Sequence, residues 1–150
     1  MRLRVLVVAI AIAVCAASPA AVAGATSEIG AVRAEYKRTA LLEYFGPAAK
    51  LCAQFTAADR HALAGFPSGK AKSCARGARN MMHLLRHCTS SNGFSPSQWR
   101  NGVRESMPLV KVRILSPKTA RVTDPLLEHD TLVRTGHRWR FSRGWPPVEC

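Results

Sequence analysis

The sequence has few acidic residues and lacks the motifs that mark the common enzyme classes. Asp and Glu total 9 against 22 Lys and Arg, which gives a formal net charge of +13. There is no Gly-x-Ser-x-Gly nucleophile elbow and no glycine-rich phosphate loop, so no motif identifies a serine hydrolase or a nucleotide-binding enzyme. Internal repeats and low-complexity segments are also absent, and the composition excludes collagen-like, coiled-coil and polytopic membrane architectures. A length of 150 residues falls in the range of one globular domain.

Only one long apolar run is present, and it lies near the start of the chain. Two arginines precede the uninterrupted apolar run 5–17, Pro19 interrupts the helical pattern, and small residues follow. This pattern is typical of a secretory signal peptide, with cleavage after Ala23 or Ala25. The run is shorter than the about 20 apolar residues that a membrane span needs. We therefore expect a signal peptide over residues 1–23.

The expected mature product is a single secreted, extracytoplasmic domain over residues 24–150, without a transmembrane span. Two other interpretations of this segment remain: an uncleaved anchor extended through Val22, and a lipoprotein acylated at Cys15. Pro19 and the small residues after it disfavour the anchor. Val14 stands before Cys15 where a lipoprotein signal has a small residue, which disfavours the lipoprotein.

Four of the five cysteines remain in the expected mature domain, and an even number in a small exported domain predicts two disulfides. Cys74 and Cys88 fall on one predicted helix, where 14 residues of rise separate them by about 21 Å, too far for a bridge. That excludes a Cys74–Cys88 disulfide and therefore also the Cys52–Cys150 disulfide that would accompany it. Two pairings stay open, and Cys52–Cys74 with Cys88–Cys150 is favoured because its first bridge closes the shorter loop.

The apolar periodicity changes once along the chain, from helical to strand-like. Ser27, Thr56, Ser73 and Ser95 are predicted N-caps of helices, and the helix that begins after Ser73 has the clearest apolar face. From Pro108 onward apolar and polar residues alternate over four segments, with a hairpin turn at 136–137. Helices followed by an antiparallel meander predict the α+β class, with the helices packed on one face of the sheet.

Positive charge is concentrated in the strand-rich half, where residues 70–150 hold fifteen basic and five acidic groups. Five basic residues fall in the outward phase of the predicted strands: Lys111, Arg113, Arg121, Arg138 and Arg140. Together they predict a basic sheet face that binds an anionic partner such as lipid headgroups or an acidic cell-wall polymer. An ordinary solvated sheet face is the simpler interpretation of the same residues. Export makes an intracellular nucleic acid an unsuitable partner.

Several segments in this order resemble the small secreted NTF2-like proteins of actinobacteria, the lipoprotein-associated group with a cystatin-like α+β roll. Residues 51–60, Leu-Cys-Ala-Gln-Phe-Thr-Ala-Ala-Asp-Arg, are similar to the family's Cys-x-x-Leu-Thr-Pro-x-x-Arg segment, and Ser-Cys-Ala follows at 73–75. Residues 110–112 and 120–122 resemble its middle strands, and 132–141 its closing hairpin. The likeness extends over about residues 28–143.

The resemblance implies a curved antiparallel sheet that forms a cone with the helices and encloses a pocket. It also implies that the cysteines corresponding to Cys52 and Cys74 are partners. Members of this fold include isomerases, dehydratases and polyketide cyclases as well as non-catalytic binding domains, so the fold does not define the function.

The candidates for catalysis are few, and none is supported by a motif. A pocket enzyme of this fold uses a buried Asp or His as proton-transfer base, for which Tyr36, Asp124, His129 and Asp130 are candidates. Asp124 precedes a proline and is also typical of a turn, whereas 128–130 is also typical of a solvated strand end.

His83 and His87 are four residues apart on the predicted helix, but they supply only two of the four ligands that zinc requires. We assign no catalytic residue, no metal and no cofactor. The expectation is a non-catalytic domain that binds a small apolar ligand in its cone or an anionic partner on its basic face. The alternative is an isomerase or dehydratase with a buried Asp or His.

Overall fold

The computed structural model describes residues 19–67, 69, 71–125 and 129–143, with backbone only for 19–26. In these residues, five α-helices precede four β-strands. The elements are α1 (Pro19–Phe45), α2 (Ala48–Cys52), α3 (Ala57–Ala64), α4 (Cys74–Ser91), α5 (Pro96–Ser106), β1 (Lys111–Ser116), β2 (Thr119–Thr123), β3 (Asp130–Thr135) and β4 (Arg138–Phe141), and a 3-10 turn (Met107–Leu109) joins α5 to β1. The predicted α+β class is confirmed.

Three of the four predicted helix caps are present. The side chains of Thr56, Ser73 and Ser95 each accept a hydrogen bond from a backbone N–H in the first turn of α3, α4 and α5. Gln98 completes a capping box with Ser95. The prediction for Ser27 is wrong, because α1 includes Pro19–Phe45 and Ser27 lies inside it. The alanine-rich segment before Ser27 has high helix propensity, which outweighs the local capping signal.

The four strands form one antiparallel sheet in the order β1-β2-β3-β4. Its register pairs Val112 with Val122, Ala120 with Leu132, and Leu132 with Phe141. These apolar residues share the inward face, across which α1 packs through contacts with β1, β2 and β4. The predicted third strand begins in residues 127–128, which lie outside the described residues, and β3 as described begins at Asp130.

The core between α1 and the sheet is aromatic and closely packed. Tyr36 stacks on Phe141 with ring centroids 5.8 Å apart, and Phe55 meets Phe141 edge-on at 6.1 Å. The segment before α3 covers the free edge of β4, since Thr56 N donates to Phe141 O and Phe141 N donates to Gln54 O. This pairing satisfies backbone groups that an edge strand would otherwise leave open.

A disulfide joins the end of α2 to the start of α4. It links Cys52 to Cys74, whose Cα atoms are 6.0 Å apart, as the favoured pairing requires. Cys88 is also disulfide-bonded, while its predicted partner Cys150 lies outside the described residues. Gly77 permits the close packing of α4 on α3, because a Cβ there would stand 1.6 Å from Leu63 O. Within the described part of the chain, no helix is long and apolar enough to cross a membrane.

Candidate functional site

The outward side of the sheet carries all five of the predicted basic residues. Arg113 and Arg121 are direct cross-strand partners, which places their Cβ atoms about 5 Å apart. On the same face, in the β3–β4 pair, Arg140 lies opposite Val133 and Arg138 lies opposite Thr135. The outward residues Lys111, Arg113, Arg121 and Arg138 are exposed, and Arg140 is half-buried. We call these five residues and the outward positions between them the basic sheet face.

No carboxylate occupies the remaining outward positions of the four strands. Those positions hold Leu115, Thr119, Thr123, Thr131, Val133 and Thr135. Since like charges placed directly opposite each other disfavour strand pairing, the Arg113–Arg121 pair is not explained by sheet stability. The outward strand positions therefore carry positive charge with no carboxylate among them.

The β4 side of this face is partly compensated from α1. Burial raises the pKa of Glu35, and this effect is opposed first by Arg38, its ion-pair partner at 3.2 Å, and then by Arg138 and Arg140. The guanidinium of Arg140 also donates a hydrogen bond to Ala53 O. The strongest uncompensated charge is thus on β1 and β2, at Lys111, Arg113 and Arg121.

A second polar site lies inside the molecule, between the end of α1 and one end of the sheet. Tyr36 Oη donates to Asp124 Oδ2 over 3.2 Å, and both residues are buried. Arg143 binds Asp130 with two parallel hydrogen bonds of 2.6 and 2.7 Å and also donates to Glu43. We call these five residues the buried ionic cluster.

Burial and charge together set the protonation of this cluster. Burial raises the pKa of Glu43, an effect that Arg143 opposes and Asp130 reinforces. Burial by itself would lower the pKa of Arg143, but Glu43 and Asp130 hold it above its ordinary value. The pKa of Tyr36 is raised far above its usual range by burial and by the neighbouring carboxylates. Tyr36 therefore remains a hydrogen-bond donor at neutral pH.

Three of the four predicted proton-transfer candidates belong to this cluster. Tyr36, Asp124 and Asp130 lie within it, whereas His129 is exposed and its Nδ1 is 3.1 Å from Thr123 Oγ1. Asp124 is a buried acceptor and not simply a solvent-exposed turn residue.

Sequence reasoning missed two members of the cluster, Glu43 and Arg143. Glu43 stands seven residues after Tyr36 and so shares its helix face, which was an available signal for a buried carboxylate. Arg143 follows β4 in the inward phase of Trp139 and Phe141, but no local pattern indicates its partners.

The described residues contain no group of three or more His, Cys, Asp or Glu side chains placed to hold a metal ion. His83 and His87 both lie exposed on α4. A cluster whose carboxylates bind an internal arginine and a tyrosine holds the fold together, whereas the basic sheet face leaves its charges open to solvent. The second arrangement is the one suited to recognising another molecule.

No protein-family model, no curated protein and no solved structure matches the chain.

Proposed function

We propose that this chain is an exported NTF2-like domain that binds an anionic partner through the basic sheet face. The observation that carries the proposal is the sign of the charge on that face: five cations and no carboxylate at the outward positions of four strands. The N-terminal sequence pattern supports export, and the resemblance in residues 28–143 supports the NTF2-like cone. An exported domain meets acidic cell-wall polymers and anionic lipid headgroups, both of which such a face would attract.

Binding of this kind is mainly electrostatic, and several charged contacts contribute to it together. Each exposed ion pair contributes about 0–1 kcal/mol, so several must act together to give useful affinity. Arg113 and Arg121 supply planar, multidentate donors suited to phosphate, sulfate or carboxylate groups. Salt will weaken the binding, because the charges are exposed and the Debye length at about 0.15 M ionic strength is about 8 Å.

The two other functions have less support. A small ligand in the cone needs open space between α1 and the sheet, where Tyr36 stacks on Phe141 and Phe55 meets Phe141 edge-on. A pocket enzyme needs an accessible ionisable group, and the carboxylates of Glu43 and Asp130 are engaged with Arg143. Both functions remain alternatives to binding on the basic sheet face.

The test is the salt concentration at which the protein elutes from heparin, a sulfated polyanion. We expect Arg113→Glu combined with Arg121→Glu to elute at markedly lower salt than the unaltered protein, because the most uncompensated part of the face is reversed. The matched control is Arg60→Glu combined with Arg76→Glu, two exposed arginines on α3 and α4. This control makes the same change in net charge.

Equal shifts for the two double variants would mean that net charge, and not the basic sheet face, governs binding. Elution of the unaltered protein below about 0.15 M salt would also contradict the proposal, since the complex would not survive physiological ionic strength.

A further inference from the structure

The helical side of the molecule contains a groove that is separate from the basic sheet face. Two adjoining depressions of about 460 and about 440 Å³ lie along α4 and share Arg86. One wall is α4, and the other is formed by the end of α1 and the start of α2. We call this the α4 groove.

The α4 wall of the groove carries basic side chains, Arg79, His83 and Arg86, beside the apolar Ala75 and Met82. Arg79, His83, Arg86 and Ser90 recur at intervals of four, three and four residues, which places them in one stripe of the helix surface. All four are exposed, and the stripe extends about 16 Å along the helix. None of the residues that line the two depressions is acidic.

The opposite wall and one end of the groove are apolar. Tyr44, Phe45 and Phe94 line the first depression, and Pro47 and Ala48 line the second. Phe94 is 55% exposed, so its ring is open to solvent at this end of the groove. The groove thus places an apolar strip beside a basic strip.

Arg86 is fixed where the two depressions meet. Its Nε donates to Tyr44 O over 2.7 Å, and its guanidinium carbon lies 5.8 Å from the centre of the Tyr44 ring. Tyr44 is in turn stacked on Trp99 at 5.2 Å. Because these contacts hold the side chain in place, less conformational entropy is lost when Arg86 binds a carboxylate.

We propose that the α4 groove binds an acidic amphipathic helix of a partner protein. Charge complementarity selects an acidic ligand, and carboxylates four residues apart on a helix match the spacing from Arg79 to His83. The apolar strip selects a ligand with apolar side chains next to its acidic ones. A polyanion such as heparin offers no such side chains, and a compact small molecule would fill only one depression.

The probe is a fluorescently labelled helical peptide of about twelve residues, which matches the distance from Arg79 to Ser90, with one glutamate stripe beside one leucine stripe. A scrambled peptide of the same composition keeps the charge and removes the stripes. We expect the striped peptide to bind, by fluorescence anisotropy, about tenfold more tightly than the scrambled one. Equal binding of the two peptides would overturn the proposal.

Two single variants locate the binding site. Arg79→Glu on α4 should weaken binding of the striped peptide about tenfold, and Arg121→Glu on the basic sheet face, with the same charge change, should weaken it less than about twofold. Equal losses would overturn the proposal. In heparin elution, Arg121→Glu should lower the eluting salt concentration more than Arg79→Glu does. A failure of the α4 groove proposal is therefore distinguishable from a failure of the proposed basic sheet face.

A second copy of the chain is the competing occupant. Light scattering that detects a dimer, together with its dissociation by Phe94→Ala and Arg79→Glu, would assign the α4 groove to self-association and overturn the proposal. A monomer that binds the striped peptide supports it. Circular dichroism of each variant confirms that a loss of binding is not a loss of fold.

Discussion

The two faces of the sheet differ in whether their arginines are paired with carboxylates. On the inward side, Arg143 binds Asp130 and Glu43, and Arg134 binds Glu28 over 2.5 Å. On the outward side, Arg113 and Arg121 stand opposite each other, with no acidic residue at the strand positions around them. A buried charge without a partner is strongly unfavourable, whereas exposed like charges are screened by water and salt.

The excess positive charge of the chain therefore lies at solvent-facing positions. The inward arginines of the described residues, Arg143 and Arg134, are both paired with carboxylates, so they add little net charge. The outward face is under no such constraint, although like charges directly opposite each other on neighbouring strands are destabilising. The absence of a carboxylate from the outward strand positions agrees with the proposed binding of an anionic partner.

Removal of Arg143 tests the inward half of this comparison and has the largest expected effect. Arg143→Ala leaves Glu43 and Asp130 buried without their cation, so we expect a loss of about 3–5 kcal/mol in the free energy of unfolding at neutral pH. Urea denaturation measures it, with Arg138→Ala on the exposed face as the control. Equal stability of the two variants would show that the buried ionic cluster does not stabilise the fold.

The pH dependence of this variant has a definite sign. The pKa of Glu43 in the folded chain already lies above its ordinary value of 4.5, and loss of Arg143 removes an effect that lowers it. A group with a raised folded pKa favours the folded state when protonated, and this contribution disappears as pH rises through the folded pKa. The deficit of Arg143→Ala should therefore shrink on acidification.

The hydrogen bond between Tyr36 and Asp124 has an intermediate expected effect. Tyr36→Phe keeps the ring that packs on Phe141 and removes the hydroxyl, so a buried acceptor loses one donor. We expect a loss of about 1–3 kcal/mol, measured by urea denaturation.

Thr39→Val is the matched control on the same face of α1. Among the described residues, Thr39 Oγ1 is buried and has no hydrogen-bond partner, so its replacement by an apolar group of similar shape should leave stability unchanged or raise it. If both variants lost stability equally, packing and not hydrogen bonding would account for the Tyr36 result.

Sequence reasoning recovers features that depend on neighbouring residues. Alternation along the strands was enough to place Arg113 and Arg121 on one face. The Ser-Pro-Ser-Gln segment at 95–98 indicated the Ser95 cap, and the apolar periodicity after residue 73 indicated the Ser73 cap. The buried ionic cluster depends on contacts between distant parts of the chain. Glu43 and Arg143 are 100 residues apart, and no local pattern indicates that a late arginine returns to the first helix.

The smallest expected effect concerns the outward face of the sheet, where we expect a substitution to raise stability, whereas Arg143→Ala and Tyr36→Phe lower it. Arg121→Thr removes the like-charge contact with Arg113 and introduces a residue that favours strands, so we expect stability to rise by less than about 1 kcal/mol. Thermal denaturation at low and high salt measures it, and the gain should decrease at high salt because repulsion is screened.

The same variant should elute from heparin earlier than the unaltered protein. Greater stability together with weaker polyanion binding is the combination expected if Arg121 is retained for a partner and not for the fold. A variant that is less stable, or that binds heparin unchanged, would place Arg121 among ordinary surface residues and remove the contrast between the two faces of the sheet.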